Sequence, residues 1–447
     1  MKNVLVLGSG LVSRPLVHYL LTHYEHRVLV ATMDVPRALS VMGEHPRGSV
    51  MELDIRDTAK ASRLVADSDV IVSLLPAELN PAVAKLAIAH RKPMVNTSYA
   101  APEMWDLDES AQRAGVLLLS EMGLDPGIDH MSATSLVRRI RSVGGKVTRF
   151  ASCCGGFPAP DANTNPWGYK FSWSPRAVLH AGLQPARYLR DGQEVSIPGE
   201  DLFAHSWPYE VEGQGVFEIY PNRNSIKYIP LYRLEGVEAM FRGTIRYPGW
   251  CATMRAASSL GLFGLEEQEW PEGTTYADFC ARKLPPGKGP MTSRAADFLG
   301  TQPDSEVLAR LEWAGLFSSR RLTARRASPI DIFLKRLSAL MMYQPGERDM
   351  VALRHVFNVA YPDGSREEIH ASLVEIGEPW GDTAMAKTVS LPAAIAARLI
   401  LQGGFTAVGV QVPVLREIYE PVLEELEDRG LTMKETHIKS FPGPFDP

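Results

Sequence analysis

Five short apolar segments recur along the first 120 residues, and they constrain the fold more than any other feature of the sequence. The segments are Lys2–Leu7, His26–Thr32, Asp69–Pro76, Pro93–Ser98 and Gly115–Ser120. None of them alternates apolar and polar residues, which is typical of strands buried on both faces. Helical stretches such as Asn80–Arg91 separate them. Buried strands that alternate with helices predict an α/β fold that begins with a Rossmann-type parallel sheet.

A glycine turn follows the first of these strands. Gly8-Ser9-Gly10 stands between that strand and a helix predicted from Leu11 to His23, which is the arrangement of a dinucleotide-binding fingerprint. The two glycines let the backbone approach a pyrophosphate, which the N-terminus of the helix attracts. Ser13 replaces the third glycine of the fingerprint and is small enough for close packing of helix on strand. The turn predicts nucleotide binding, with a tight turn that binds no ligand as the alternative.

The end of the second strand bears on the choice of cofactor. An acid at this point binds the ribose hydroxyls of NAD, whereas an arginine binds the 2′-phosphate of NADP. Asp34 favours NAD, and Arg37, one helical turn further on, keeps NADP open. An exposed acid at a helix N-terminus is the alternative interpretation of Asp34. Asp54 is predicted to end a third strand near the adenine.

Polar residues follow three of the predicted strands, in the stretches SLLPAELN, NTSYAAP and SEMGLDPGIDH. Ligands of open α/β sheets bind outside the carboxyl ends of the strands. We therefore expect Glu121, Asp125 and Asp129 to face the same cleft as the glycine turn. For Asp125 the alternative is a turn residue, or the N-cap of a helix that starts near Asp129. His130 is predicted to lie in the first turn of that helix rather than to act in catalysis.

Composition narrows the function classes. The formal net charge of −5 gives no reason to expect nucleic acid or an anionic membrane as partner. The four cysteines include no CxxC pair, so we expect no metal site. No uncharged apolar run approaches the roughly 18 residues of a membrane span, and MKNVLVLGSG lacks the layout of a signal peptide. These features predict a cytoplasmic protein of the size of an enzyme.

The chain of 447 residues is too long for one ordinary core, and changes in pattern predict its division. Residues 1–130 form the dinucleotide-binding domain, which helices in 385–447 complete. Residues 131–250 and 346–384 form a mixed α/β domain for substrate binding and dimerisation, with a hairpin whose turn is Pro362-Asp363-Gly364. Residues 251–345 form a helical insertion.

Several motifs together resemble those of one enzyme family. SEMGLDPGIDH, SCCGGFPAPDANTNPWGYKFSWSP (152–175), YPNRNS (220–225), RGTIRYPG (242–249) and ERDMVALRH (347–355) occur in this order. They are similar to motifs of the glutamate-forming saccharopine dehydrogenases, and SLLP and TSYAAP match the strand ends of that family. The resemblance extends over nearly the whole chain.

This resemblance implies an NAD(P)-dependent oxidoreductase of lysine metabolism, active as a homodimer. Such enzymes interconvert saccharopine with L-glutamate and 2-aminoadipate 6-semialdehyde by hydride transfer at a C–N bond. One alternative is a related imine reductase that forms a carboxylated polyamine and needs one fewer carboxylate contact. The other is a dinucleotide-binding regulator that has lost catalysis.

The resemblance also implies roles for individual residues. Saccharopine carries three carboxylates and two amines. Arginines of the protein can bind the carboxylates, and at least one carboxylate of the protein can bind an amine. The positions that match substrate ligands are Ser98, Tyr99, Asp125, Arg223, Thr244, Ile245 and Arg246. Arg223 and Arg246 bind carboxylates in this scheme, and Asp125 holds the ammonium group. Asp125 and Cys154 are the candidates for proton transfer, although Cys154 could equally be a small buried apolar residue.

The cofactor is implied in the same way. The predicted cofactor-binding residues are Gly8, Ser9, Gly10, Leu11, Val12, Thr32, Met33, Asp34, Asp54, Ile55, Leu75, Thr97, Leu124, Pro126 and Ser174. Members of the family that prefer NADP carry arginine near the position of Met33. Because methionine cannot hold the 2′-phosphate and Asp34 repels it, we predict NAD in preference to NADP.

Overall fold

The structure of the protein is a computed structural model, which describes residues 1–22 and 26–439. The chain divides into two compact units. Unit 1 comprises residues 1–148 and 229–235 and the described residues from 355 onward, and unit 2 comprises residues 149–228 and 236–354. His23, at the end of the predicted first helix, and residues 440–447 of the predicted C-terminal segment lie outside the described residues.

The helices and strands are numbered along the chain. The α-helices are α1 (Ser13–Thr22), α2 (Val35–Met42), α3 (Thr58–Ala66), α4 (Asn80–Ala89), α5 (Pro102–Trp105), α6 (Asp108–Ala114), α7 (Ile128–Ser142), α8 (Pro175–Ala181), α9 (Tyr228–Leu231), α10 (Trp250–Ser259), α11 (Tyr276–Ala281), α12 (Met291–Leu299), α13 (Glu306–Trp313), α14 (Pro329–Ser338), α15 (Ala384–Leu401) and α16 (Arg416–Asp428). The strands are β1 (Asn3–Leu7), β2 (Arg27–Thr32), β3 (Gly48–Glu52), β4 (Val70–Ser73), β5 (Met94–Asn96), β6 (Leu117–Leu119), β7 (Lys146–Pro158), β8 (Ala186–Arg190), β9 (Gln193–Ile197), β10 (Trp207–Val211), β11 (Gly215–Pro221), β12 (Ala239–Arg246), β13 (Gln268–Glu269), β14 (Arg326–Ala327), β15 (Asp349–Ala360), β16 (Arg366–Ile376), β17 (Gly409–Gln411) and β18 (Lys434–Lys439).

Unit 1 contains the predicted parallel sheet. Its strand order is β17-β6-β5-β4-β1-β2-β3, and all neighbours are parallel. The strands β4, β5 and β6 are buried along their whole length, because helices cover both faces of such a sheet. The order reverses beside β1, between β4 and β2, which is the point where doubly wound sheets bind ligands. The predicted fold class is confirmed.

The C-terminal part of unit 1 adds to this sheet. β17 pairs with β6, and α15 packs on α1, β4 and β5. By length and composition α15 is apolar enough to cross a membrane, but 61% of it is buried within the structure. It also contains Lys387 and Arg398. These features make α15 a core helix of unit 1.

The other strands form mixed and antiparallel pairings. In unit 2, β12 lies between β11, which is antiparallel to it, and β7, which is parallel. β10 extends this sheet beyond β11, and β8 pairs with both β12 and β9. In unit 1, β16 lies between β15 and β18. A hydrogen bond of 2.9 Å from Tyr361 N to Ser365 O closes the turn between β15 and β16, so the predicted hairpin is confirmed.

The structure changes two details of the predicted elements. α1 begins at Ser13 rather than at Leu11, because Gly10 O accepts hydrogen bonds from the Ser13 amide and hydroxyl. Asp54 follows the end of β3 by two residues instead of ending that strand. The helical region 251–345 lies within unit 2 together with its strands. The three-part domain division stays a prediction.

An ionic cluster joins three helices of unit 1. Glu425 on α16 accepts hydrogen bonds from the Tyr19 hydroxyl (2.6 Å), from Arg398 (2.5 Å) and from Arg429 (2.9 Å). Burial by itself raises the pKa of Glu425. The hydrogen bonds from Tyr19 and Arg429 and the charges of the two arginines outweigh this effect, and the pKa is lowered from its ordinary value of 4.5.

We expect Glu425→Gln to lower the free energy of unfolding by about 1–3 kcal/mol at pH 7, because it leaves charged donors without their acceptor. The folded pKa lies below the unfolded pKa, so this stabilisation is present above the unfolded value near 4.5 and is lost as the pH falls through the folded pKa. Urea unfolding at pH 7 and at about pH 3 measures the effect. Glu424→Gln, an exposed neighbour, is the control. An equal deficit at both pH values would contradict the assignment.

Candidate active site

The glycine turn after β1 has the geometry that a pyrophosphate requires. Gly8 has a φ of +100°, and a Cβ there would lie 3.2 Å from Leu74 O and 3.6 Å from the Leu75 side chain. Nothing lies within 4 Å of a Cβ at Gly10, so the space above this residue is open. Ser13 is buried at the position of the third glycine. The turn therefore fits a dinucleotide, whose phosphates the N-terminus of α1 would attract.

The residues after β2 combine a hydrogen-bonded turn with an exposed methionine. The hydroxyls of Ser9 and Thr32 lie 3.0 Å apart and are buried. Asp34 is exposed and caps α2 by accepting a hydrogen bond of 3.1 Å from Arg37 N. Met33 is 69% exposed. Asp34 thus has the helix-terminal position that was the alternative interpretation, and its exposure leaves it accessible to a ribose.

The remaining predicted residues of this region lie close to the same turn or strand ends. Asp54 forms an ion pair with Arg56 at 2.6 Å, and hydrogen bonds from Arg56 lower the pKa of this carboxyl. Ile55 and Leu75 pack against the core of the parallel sheet. A Cβ at Gly123 would lie 3.4 Å from the Thr97 side chain, which places the loops after β5 and β6 side by side.

The loops after β5 and β6 bring together Tyr99 and Asp125. The Tyr99 hydroxyl donates a hydrogen bond of 2.5 Å to Asp125 Oδ1. Asp125 is half-buried, and its peptide bond to Pro126 is cis. Leu124 and Pro126 on either side of it are buried. The predicted neighbours Ser98 and Tyr99 therefore belong to the same group of residues as Asp125.

The start of α7 excludes one of the alternative interpretations of Asp125. Gly127 is the N-cap of this helix, and its amide donates a hydrogen bond of 2.7 Å to Asp129 Oδ1. Asp125 is therefore not the N-cap, and that alternative is wrong. His130 lies in the first turn of α7, as predicted.

In unit 2, Arg246 is a buried cation at the end of β12. It is 5% exposed, and its guanidinium carbon lies 5.0 Å from the centre of the Tyr169 ring and 5.7 Å from that of Trp250. It donates a hydrogen bond of 2.8 Å to Ile245 O, while its Nε is buried without a hydrogen-bond partner. No carboxylate in the described part of the chain forms an ion pair with it. Because burying an unpaired charge costs several kcal/mol, this arrangement points to an anionic ligand.

The predicted residues near Arg246 lie on adjacent strands. Thr244 on β12 is opposite Cys154 on β7 in the strand register, and Cys154 is buried. On its other side Thr244 is opposite Tyr220 of β11 in the strand register. Burial raises the pKa of Tyr220 to about 12, although the charge of Arg246 opposes this. Burial, followed by the negative charge of Glu218, raises the pKa of the Cys251 thiol. The region therefore holds protonated phenol and thiol groups beside a fixed positive charge.

Arg223 and Ser174 lie in loops of unit 2. Arg223 follows β11 with a φ of +53°, and its carbonyl accepts a hydrogen bond of 2.9 Å from Arg187 N. Ser174 is exposed and caps α8 by accepting a hydrogen bond from Ala177 N. A capping role accounts for Ser174 as it stands, so its contact with cofactor stays a prediction.

Lys170, whose position in GYKFSWS also suggests contact with substrate, is a second buried cation of unit 2. It forms an ion pair of 2.5 Å with Glu347 and donates a hydrogen bond of 2.8 Å to the Thr164 hydroxyl. Unlike Arg246 it is neutralised within the protein, which marks Arg246 as the candidate for a substrate anion. Among residues 1–22 and 26–439, no three His, Cys, Asp or Glu side chains group as a metal site.

Comparison with family models identifies both parts of the chain. Residues 4–119 match the saccharopine dehydrogenase NADP binding domain, and residues 123–431 match the saccharopine dehydrogenase C-terminal domain. The chain belongs to the saccharopine dehydrogenase family. The predicted family is confirmed, and the glycine turn falls in the part of the chain that matches the dinucleotide-binding domain.

Family members with nearly the same length are known from fungi. The chain is 36% identical to the saccharopine dehydrogenase [NADP(+), L-glutamate-forming] of Pyricularia oryzae, over 97% of this chain and 98% of the relative. It is also 36% identical to the enzyme of the same name from Saccharomyces cerevisiae, over 98% of this chain and 99% of the relative. The structure of the apo histidine-tagged L-Glu-forming saccharopine dehydrogenase from S. cerevisiae superposes with a TM-score of 0.87 at 34% identity, covering 98% of this chain and 100% of that one.

Proposed function

We propose that the protein is an NAD(P)-dependent oxidoreductase that interconverts saccharopine with L-glutamate and 2-aminoadipate 6-semialdehyde in lysine metabolism. The observation that carries this proposal is the buried, unpaired guanidinium of Arg246 in a chain that matches this family over nearly its whole length. A tricarboxylic substrate supplies the anion that Arg246 lacks. Arg223, in its loop after β11, is proposed to bind a second carboxylate.

The proposed chemistry is an oxidation at a secondary amine followed by hydrolysis. A bound NAD(P) would supply the acceptor for the hydride that leaves the carbon next to the amine. The amine loses a proton at the same stage, and the resulting substrate imine takes up one water and splits into glutamate and the semialdehyde. Asp125, hydrogen-bonded by Tyr99, is proposed to hold the substrate ammonium and to exchange the proton. Cys154 is the second candidate for proton transfer.

A single set of assays tests the proposed function. NAD(P)H oxidation is followed with glutamate plus 2-aminoadipate 6-semialdehyde, and saccharopine oxidation is followed in reverse. A diamine then replaces glutamate, which distinguishes the polyamine-forming alternative. We expect turnover with glutamate and none with the diamine. Turnover with the diamine alone, or cofactor binding without any turnover, would contradict the proposal.

We also infer that the enzyme prefers NAD to NADP. The exposed side chain after β2 is that of Met33, which offers no positive charge to a 2′-phosphate, and Asp34 beside it repels one. A homodimeric state and a cytoplasmic location, both predicted from the sequence, stay predictions.

Met33→Arg is expected to raise the ratio of kcat/KM for NADP to kcat/KM for NAD by about 10- to 100-fold. The reason is that the arginine guanidinium can form two parallel hydrogen bonds with the 2′-phosphate. Each tenfold change in the ratio corresponds to about 1.4 kcal/mol. Steady-state kinetics with both cofactors measure the ratio. Leu39→Arg places the same charge at an exposed position of α2 and serves as control. A wild-type kcat/KM tenfold higher for NADP than for NAD would refute the preference.

A further inference from the structure

We infer that Glu121 is a positioning residue that sets the orientation of Tyr99 relative to Asp125. The inference rests on the proposed function to the extent that Tyr99 and Asp125 contact the substrate. The sequence places Glu121 after β6, facing the predicted cleft, but assigns it no role. The structure places its side chain between the two loops that carry Tyr99 and Asp125.

The backbone and side chain of Glu121 hold Tyr99 from both sides. Glu121 N donates a hydrogen bond of 3.1 Å to Ser98 O, and Glu121 Oε1 accepts one of 3.0 Å from Ala100 N. Ser98 and Ala100 are the neighbours of Tyr99 in the chain. Since both peptide groups that flank Tyr99 are held by one residue, the direction of its side chain depends on that residue.

The backbone of Glu121 has a conformation that its side-chain contacts must maintain. Its φ is +63°, in the left-handed region, which costs a residue with a side chain on the order of 1–3 kcal/mol. Glycine would adopt this conformation without that cost. Glu121 is nevertheless present and 1% exposed, so its carboxylate contributes contacts that glycine cannot supply. Such strain is typical of positions beside functional groups.

His130 fixes the second carboxylate oxygen of Glu121. Glu121 Oε2 lies 2.7 Å from His130 Nε2, and His130 is fully buried. His130 Nδ1 in turn contacts the Tyr232 hydroxyl and lies 3.5 Å from Asp129 Oδ2. The carboxylate therefore connects the loop of Tyr99 with the helix that follows Asp125.

This connection defines what Glu121 does for the reaction. The Tyr99 hydroxyl donates a hydrogen bond of 2.5 Å to Asp125 Oδ1, and rotation of the Tyr99 side chain would break this hydrogen bond. The hydrogen bonds of Glu121 described above are with the loop of Tyr99, and its ion pair is with His130. We therefore expect its removal to leave cofactor affinity unchanged. Its effect is expected on the step that uses Asp125.

Glu121→Ala tests the inference with saccharopine as substrate and the full-length protein. We expect kcat/KM to fall about 100-fold, while the dissociation constant for NAD(P)H, measured by fluorescence, changes less than threefold. Glu121→Gln keeps an acceptor for Ala100 N and is expected to restore most of the activity. Glu103→Ala, exposed on α5, is the control and should match wild type. Glu121→Asp shortens the side chain by one methylene and keeps the charge. If the alanine variant does not fold, the same measurements are made on this variant.

A double-mutant cycle with Tyr99→Phe separates positioning from a general loss of structure. If Glu121 acts through Tyr99, the double variant is no slower than the slower single variant, because residues that act as a unit are not additive. Losses that multiply, or a Glu121→Ala variant within threefold of wild type, would overturn the inference.

A crystal structure of Glu121→Ala gives a readout that does not depend on activity. We expect Tyr99 to be displaced from Asp125, and an unmoved Tyr99–Asp125 hydrogen bond would overturn the inference. Absence of saccharopine turnover in the wild type would count against the proposed function alone, since the displacement of Tyr99 is judged from coordinates.

Discussion

Asp125→Asn is expected to lower kcat/KM for saccharopine by about 10³-fold, within the range found when a positioned proton-transfer group is lost. Asparagine has nearly the same shape and keeps an oxygen that can accept the hydrogen bond from Tyr99. The variant therefore removes the negative charge and the ability to take up a proton, while the local geometry is retained. The loss should appear in kcat as well as in KM, because the charge is needed when the amine releases its proton.

Steady-state kinetics of saccharopine oxidation measure this effect, and fluorescence titration with NAD(P)H checks that the cofactor still binds. Asp106→Asn makes the same chemical change at an exposed position close by in the chain and should leave both quantities unchanged. An Asp125→Asn variant that keeps more than a tenth of wild-type kcat would contradict a proton-transfer role for Asp125. The proton-transfer role would then pass to Cys154.

Arg246→Met is expected to lower kcat/KM for saccharopine by about 10²- to 10³-fold without lowering the stability of the free protein. The loss of activity corresponds to about 3–4 kcal/mol of substrate binding, as expected for a charge-assisted fork on a carboxylate in a buried site. Methionine fills a similar volume but carries no charge. The fall in kcat/KM should therefore appear mainly as an increase in KM.

The stability of the variant provides the sharper test. Arg246 is buried without an ion-pair partner in the described part of the chain, so its removal abolishes a desolvation cost. The loss of its contacts with the Tyr169 and Trp250 rings offsets part of that gain. We expect the free energy of unfolding in urea to stay the same or to rise by up to about 2 kcal/mol.

Arg255→Met, at an exposed position of α10, is the matched control and should alter neither activity nor stability. Arg246→Lys keeps the charge but not the fork and should fall between wild type and Arg246→Met. A destabilised Arg246→Met protein with unchanged KM would mean that the arginine has a structural role. That result would remove the main support for a carboxylate substrate.

The parallel sheet, and the edge at which its polar strand ends meet, were predictable from local patterns. Buried strands of this kind lack alternation, and their ends carry turn residues, so a short window of sequence contains the signal. The same holds for the glycine turn at residues 8–10 and for the position of His130 in the first turn of α7. The ends of helices and strands were less predictable. The start of α1, for example, depends on the hydrogen bonds that Gly10 O accepts from Ser13.

The partners of individual side chains could not be predicted in this way. The sequence offered Asp125 as the N-cap of a helix. Only the fold shows that Gly127 has that position and that Tyr99 contacts Asp125. The contact of Glu121 with Ala100 joins loops that follow different strands. No pattern in the sequence distinguishes Arg246, which lacks an internal partner, from Lys170, which has Glu347.

Local sequence was thus sufficient to predict the fold class and the family and to select candidate residues. Hydrophobic periodicity, turn residues and short motifs can all be recognised within short segments of the chain. Which charges are neutralised inside the protein and which are left for a ligand was decided by the folded chain alone. Electrostatic and hydrogen-bond energies depend on distances of a few ångströms between residues far apart in sequence, and such distances exist only once the strands are assembled.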